Sequence, residues 1–415
     1  MLVYPLKAMH LMSAWARVAT AVLLAATFLQ DRGTDLVTVD VQVVDRDSTP
    51  VSILGKGDFE VTIDGRTRRV VSAEFISTSS AGVAPRAFFL AVDAGSFDAS
   101  DSAAFVQAAK GFAAQLQPTD VVGVFTLLAQ GPFLDPTLDR TELGRALDAM
   151  TGRRQDRVSQ FNLSSSEVLD IVAESAQRGN ITATSMMGRG TSPATPRGGA
   201  APVALDTALQ RVVIRECPGV GDVACRDAVV REAMVLAQQL EQRTDQSLSS
   251  LGTLLDALRD YPGRKIVVVL SGGMVMSERP GEGNAINLRT EKLSQQAATS
   301  NTTVYALHVD VDVSQKYAAR SRQPLSTAAL ARERTLSSKI LNDVAAASGG
   351  SMFFDQVGSG DVAFGRIIRE TSGYYLLGVE PAMSDRDGRA HKLSVKTNSR
   401  GATVRNRQWV VIAAR

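Results

Sequence analysis

Cysteine and histidine are scarce: two and three in 415 residues. Cys217 and Cys225, with His10, His308 and His391, cannot compose a Cys-rich zinc site. None of the histidine spacings fits a helical metal motif, which removes most metalloenzyme classes. Net charge is also missing. Lys plus Arg number 45 against 43 Asp plus Glu, a formal +2 that sets up no field to gather phosphate backbones or acidic lipid, so no nucleic-acid partner is expected. Neither G-x-x-x-x-G-K-[ST] nor a G-x-G-x-x-G opening a helix after a strand occurs, and there is no C-x-x-C redox pair. What is present, 44% hydrophobic and 21% charged residues, is the balance of an ordinary globular chain with material for one large core or two modest ones.

Long apolar runs are short of membrane-spanning length throughout. The longest, Val18 to Leu29, follows Lys7 and Arg17 and has the charged n-region and brief apolar h-region of an export signal over residues 1–30, with Ala25 and Ala26 small enough for a peptidase. Twelve residues fall short of the about 20 needed to cross a bilayer. Export to a periplasmic or extracellular location is therefore expected, with a retained N-terminal tether as the alternative. In such a compartment, cysteines eight positions apart in ECPGVGDVAC suit a disulfide between Cys217 and Cys225; the alternative is two unpaired thiols in a cytosolic protein.

Residues 31–80 read as β-rich. Val37, Val39, Val41 and Val43 alternate with polar residues, as do Phe59, Val61 and Ile63 before the hairpin signal Asp64-Gly65. Residues 373–415 repeat this texture in YYLLGVEP, HKLSVKT and ATVRNRQWVVIA. Few strands at each end are marginal alone, so the two flanks are expected to meet in one small β-sandwich.

Between them, over 85–372, the pattern predicts an α/β domain with a doubly wound, mostly parallel sheet. RAFFLAVD (86–93), Val121 to Leu128, KIVVVL (265–270) and TVYALHV (303–309) read as strands buried on both faces. Phe105, Ala109, Phe112 and Leu116 recur at helical spacing and stop at Pro118. Residues 179–204 carry Gly, Pro, Ser and Thr and are read as the start of a loop insertion over 179–225. From Arg226 to Arg259, Val230, Ala233, Ala237 and Leu240, then Leu248, Leu251, Leu255 and Leu258, form a stripe interrupted by Thr244 and Ser247. This is expected to be one long helix packed on its own sheet rather than a coiled coil.

In open α/β sheets ligands gather beyond the carboxyl ends of the strands, which points to Asp93-Ala94-Gly95-Ser96-Phe97-Asp98. Here the chain resembles the von Willebrand factor A domains, whose first strand ends in D-x-S-x-S. Over 35–413 the order of signatures resembles the exported bacterial VWFA-related family: PVSILGKGDFEVTIDG, LQPTDVVGVFTL, the paired cysteines, VVVLSGGM, SGYYLLGVEP and DGRAHKLSVK. The resemblance implies a von Willebrand A-type domain with β-rich flanks and a metal-ion-dependent adhesion site. Asp93 matches the first metal ligand, but Gly95 and Phe97 replace the two hydroxyl residues, and Ser271-Gly272-Gly273 replaces Thr-Asp-Gly. Asn162 or Ser164, in FNLSS, stands nearest to the family's later Thr. The site is therefore read as degenerate, with no metal and no cofactor. A calcium or magnesium ion at Asp93, with Asp98 and Asp101 as further oxygens for calcium, is the minority alternative. The other reading of Asp93 is a carboxylate that orders its loop without metal, with Ser96, Asp98, Ser100 and Asp101 capping the following helix.

No catalytic residue is assigned. Ser271 and His308, with Asp310 or Asp312, offer a hydrolase alternative, but Ser271 lacks the G-x-S-x-G elbow. The leading expectation is a non-enzymatic module binding a protein or cell-envelope partner through Asp93, Ser96, Asp98, Asn162, Ser164 and Ser271. A structural scaffold is the second.

Overall fold

The computed structural model describes residues 36–78, 85–127, 131, 133–154, 160–187, 207–219, 221–276, 283–310, 326–356 and 360–414. The export signal expected over 1–30 lies outside them, as do 188–206 of the expected loop. No helix among the described residues is long and apolar enough to cross a membrane.

The N-terminal flank forms β1 (Val37–Val44), β2 (Phe59–Ile63), β3 (Arg66–Arg68) and β4 (Val70–Ser77). Asp64 and Gly65 both take positive φ, 50° and 75°, the hairpin geometry that joins β2 to β3. The central region then runs β5 (Ala87–Val92), α1 (Ser102–Gln115), β6 (Val121–Thr126), β7 (Leu134–Thr137), α2 (Arg140–Asp148), α3 (Ser165–Met187), α4 (Ala208–Glu216) and α5 (Val223–Ala257). It continues with β8 (Lys265–Ser271), α6 (Gly283–Thr299), β9 (Thr302–Asp310), α7 (Thr327–Ala347), β10 (Met352–Gln356) and α8 (Gly360–Glu370). β11 (Gly373–Val379), β12 (Ala390–Thr397), β13 (Thr403–Asn406) and β14 (Trp409–Val411) close the chain.

Six strands make the central sheet in the order β10-β9-β8-β5-β6-β7, parallel except for the antiparallel edge strand β7. Each face carries helices. Phe88, Leu90 and Val92 of β5 pack on Phe105, Phe112, Leu143, Phe364 and Ile367. The alternate residues Ala87, Phe89 and Ala91 face Leu248, Leu251, Leu255, Leu293, Ile340 and Val344. This alternation, with both faces buried, is why the strand reads as an unbroken apolar run. The edge strands β7 and β10 lie outside the sequence expectations. β7 holds four residues and includes Pro136, which an edge tolerates because no further strand needs its N–H.

The flanks meet as expected: sheets β13-β1-β11-β4 and β14-β12-β2-β3 close on one core containing Val39, Val41, Phe59, Val61, Ile63, Tyr375, Leu377, Leu393 and Val395. The outer face of the first sheet docks on the amino edge of the central sheet. Gln42, buried in β1, accepts a bond from the Tyr305 hydroxyl at 3.0 Å and donates to the Glu370 carbonyl at 3.0 Å. Arg405 reaches the Glu370 carboxylate at 3.2 Å, and Arg407 lies 3.6 Å from Asp40.

The loop expected over 179–225 needs correction: 179–187 continue α3, 208–216 form α4, and α5 begins at Val223. Ser164 and Glu167 start α3 with reciprocal bonds, Ser164 N to Glu167 Oε2 at 3.0 Å and Glu167 N to Ser164 Oγ at 3.2 Å. Once nucleated, the helix propagates through Gly179, which costs only about 1 kcal/mol. α4 buries Leu209, Val212 and Val213, an i, i+3, i+4 stripe. α3, α4 and the first half of α5 share a separate core of Val168, Ile171, Val212, Val229, Ala233 and Ala237. The long helix is thus packed on the sheet over its second half only. The Cys217–Cys225 disulfide, 6.0 Å between Cα atoms, ties the end of α4 to the first turn of α5.

Candidate functional site

Strand order reverses between β5 and β8, since the chain leaves β5 toward β6 and returns to β8 on the other side. The carboxyl ends of these two strands are the switch point at which an open α/β sheet places a ligand. Asp93 follows β5 and Ser271 ends β8, and both are fully buried.

Both Asp93 oxygens are taken by serine hydroxyls. Ser247 donates to Oδ1 at 2.7 Å and Ser271 donates to Oδ2 at 2.8 Å. Ser96 donates to the Asp93 carbonyl at 2.7 Å, and Gly272 N donates back to Ser96 Oγ at 2.7 Å. Ser271 Oγ also accepts Gly273 N at 3.1 Å. Burial pushes the Asp93 carboxyl above its ordinary range, against the pull of the Ser247, Ser271 and Ser96 hydroxyls and the Gly95 N–H. Among the described residues, the groups shown to stabilise its charge are dipoles.

The loop after Asp93 is clasped from two sides. Any Cβ at Gly152 would fall 2.2 Å from the Asp98 carbonyl oxygen, and one at Gly272 would fall 2.8 Å from that of Ser96, so both close approaches require glycine. Arg153 N donates to Ala94 O at 2.7 Å and Arg154 N to Phe97 O at 2.9 Å. Phe97 turns inward, fully buried, and stacks on Phe105 with ring centroids 3.6 Å apart.

These donors do not fit a hard divalent cation, which takes six or more oxygens turned toward it. One carboxylate is present, its hydroxyl neighbours point their protons at it, and Phe97 supplies hydrocarbon where the resemblance calls for oxygen. Among the described residues no group of three or more His, Cys, Asp or Glu is arranged to hold a metal.

Of the six residues expected to form a binding face, the structure gathers Asp93, Ser96 and Ser271. Asp98 caps the next turn, accepting Ser100 N at 3.0 Å, and lies 3.5 Å from Arg154. Asn162 and Ser164 stand in the segment that leads into α3. Their neighbours Gln160 and Phe161 donate to Glu232 on α5, which is 15 residues before Ser247 and so about 22 Å along the helix. Ser164 serves the α3 cap, and beside it Ser166 N donates to buried Glu333 at 2.6 Å. Asp93, Ser164 and Ser271 are all buried.

Ser271 and His308 are register partners on β8 and β9. Each is engaged with a different group: the Ser271 hydroxyl with Asp93, and His308 Nε2 with Ser337 Oγ at 3.2 Å. Asp310 has no described side chain and Asp312 lies outside the described residues.

Sequence reasoning missed Ser247 and Thr244, although both were noted as breaks in an apolar stripe. Thr244 donates to Val275 O at 2.8 Å and accepts Val275 N at 3.0 Å, pinning the segment after β8 to α5. Two buried hydroxyls on the sheet-facing side of a helix are the signal that was available.

No protein-family model matches the chain, and no curated protein matches it.

Proposed function

We propose that the chain is an exported, non-enzymatic binding module of the von Willebrand A type, with a degenerate metal site, that engages a protein or cell-envelope partner through loops at the carboxyl edge of the central sheet. The single observation that carries this reading is the closure of the switch point. Asp93 is saturated by Ser247 and Ser271 behind a buried Phe97, so this crevice offers neither a metal seat nor an activated nucleophile. Recognition then falls to the outer surface of the clasping segments, where Asp98 and Arg154 remain partly exposed.

The alternating six-stranded sheet with β-rich flanks supports the von Willebrand A assignment, and the paired cysteines favour an oxidising compartment. Calorimetric titration of the mature chain with Mg²⁺, Mn²⁺ and Ca²⁺ tests the degenerate site: no saturable heat is expected, and stoichiometric binding abolished by Asp93→Ala would overturn it. Cross-linking and pull-down with cell-envelope fractions tests the partner. Capture lost on changing Asp98 and Arg154 supports the carboxyl edge, and capture indifferent to them removes it.

A further inference from the structure

His391, in β12, is nearly buried between two turns. Its Nδ1 lies 2.8 Å from Asp64 Oδ2 in the β2–β3 turn, and its Nε2 lies 2.9 Å from Asp387 Oδ1 in the turn that leads into β12. An ionised carboxylate only accepts, and neutral imidazole carries one N–H. Neither neutral tautomer satisfies both contacts; the imidazolium does.

The groups around the ring decide the outcome when its proton leaves. Asp64 is held against β12 independently of the ring, since its Oδ1 accepts Lys392 N at 2.8 Å and its own N–H donates to Lys392 O at 2.8 Å. Asp387 shares the oxygen that faces His391 with Arg389 N, at 2.8 Å, inside its own turn, and Arg389 Nε is 3.9 Å from its other oxygen. Asp385 is paired to Arg68 by two bonds of 2.7 Å. The cluster therefore sets Asp64, Asp385 and Asp387 against Arg68, Arg389 and His391, and a neutral His391 leaves an excess of negative charge. The same turn anchors the sheet edge: Gly388 N donates to Ile412 O at 3.0 Å, and β12 pairs with β14 from Ala390↔Val411 to Lys392↔Trp409.

We propose that His391 is a pH-operated latch: charged, it clasps the two turns together, and on deprotonation it keeps Asp64 and releases the 386–389 turn, loosening the β14 edge of the sandwich. The hydrogen bond that the ring donates to Asp64, then the one it donates to Asp387, raises the imidazolium above its ordinary 6.5 in spite of burial. The clasp is thus complete below 6.5 and is lost as pH rises through the raised value.

The test is a carbon-detected histidine titration of the full chain, with hydrogen exchange of the Gly388 amide corrected for its intrinsic pH dependence. His391→Gln serves only to assign the resonance. A midpoint above 6.5 is expected, with Gly388 exchange accelerating as pH rises through that midpoint. In Asp387→Asn the midpoint moves down and Gly388 exchange no longer depends on it. A wild-type midpoint at or below 6.5, or Gly388 protection that stays level through the transition, overturns the latch.

Discussion

At the amino edge of the central sheet, buried carboxylates meet guanidinium groups. Asp120 accepts two bonds from Arg86, at 2.9 and 2.6 Å, and Glu370 is reached by Arg405. At the carboxyl edge Asp93 is equally buried yet, among the described residues, its charge is stabilised by hydroxyls and a backbone N–H. Glu370 Oε2 and Arg405 Nε are left without a hydrogen-bond partner among the described residues, yet the amino edge sets cations against its buried carboxylates. The amino edge is a joint, where the sandwich is fixed to the sheet. The carboxyl edge holds an ionisable group whose desolvation is opposed by dipoles, with no ion pair to Asp93 among the described residues.

The largest expected effect breaks the compensated edge. Arg86→Met leaves Asp120 buried without its cation and is expected to destabilise the chain by about 3–5 kcal/mol in urea unfolding, while Arg86→Met with Asp120→Leu recovers most of that loss. A single-variant loss below about 1 kcal/mol would mean that the pair is as weak as a surface one, and the contrast between the edges would disappear.

Much of the frame was legible in the sequence because both of its signals are local. Period-two alternation marked β1 and β2, and continuous apolar runs marked β5, β8 and β9. Asp93 was legible as the polar residue that ends a buried strand. The rest was hidden for identifiable reasons. Ser247 lies 154 residues from Asp93, so their bond depends on how α5 docks, which no local pattern encodes. The end of α3 was lost because glycine and threonine composition outweighed a strong N-terminal capping box.

The second effect asks how far the carboxyl edge depends on the helices beside it. α5, about 52 Å long, carries Glu232 in the stapled bundle and Ser247 at Asp93, so the two regions share one rod. Replacing Cys217 and Cys225 by serine opens a loop eight residues long in sequence and is expected to remove about 2.5 kcal/mol. Hydrogen exchange should rise in α4 and the first half of α5 while residues around Ser247 stay protected by the sheet. Equal deprotection along all of α5 would show that the bundle and the Asp93 cluster unfold as one unit.

The smallest effect is the most discriminating. Asp93→Asn preserves shape: its carbonyl oxygen still accepts one serine hydroxyl, and its amide donates to the other serine, whose oxygen has lone pairs to spare. Because the folded state raises the Asp93 carboxyl above its ordinary 3.8, ionising it opposes folding, and wild-type stability from this group rises as pH falls through the raised value toward 3.8. Asparagine lacks that dependence. The variant is therefore expected to be within about 1 kcal/mol of wild type, or above it, at neutral pH, the gap shifting in favour of wild type on acidification as the desolvated charge is neutralised. Asp120→Asn, its counterpart at the amino edge, should lose about 3 kcal/mol or more because it strands Arg86. If Asp93→Asn were as damaging as Asp120→Asn, Asp93 would have to be compensated by a positive charge, and the closed, metal-free reading of the switch point would fail with it.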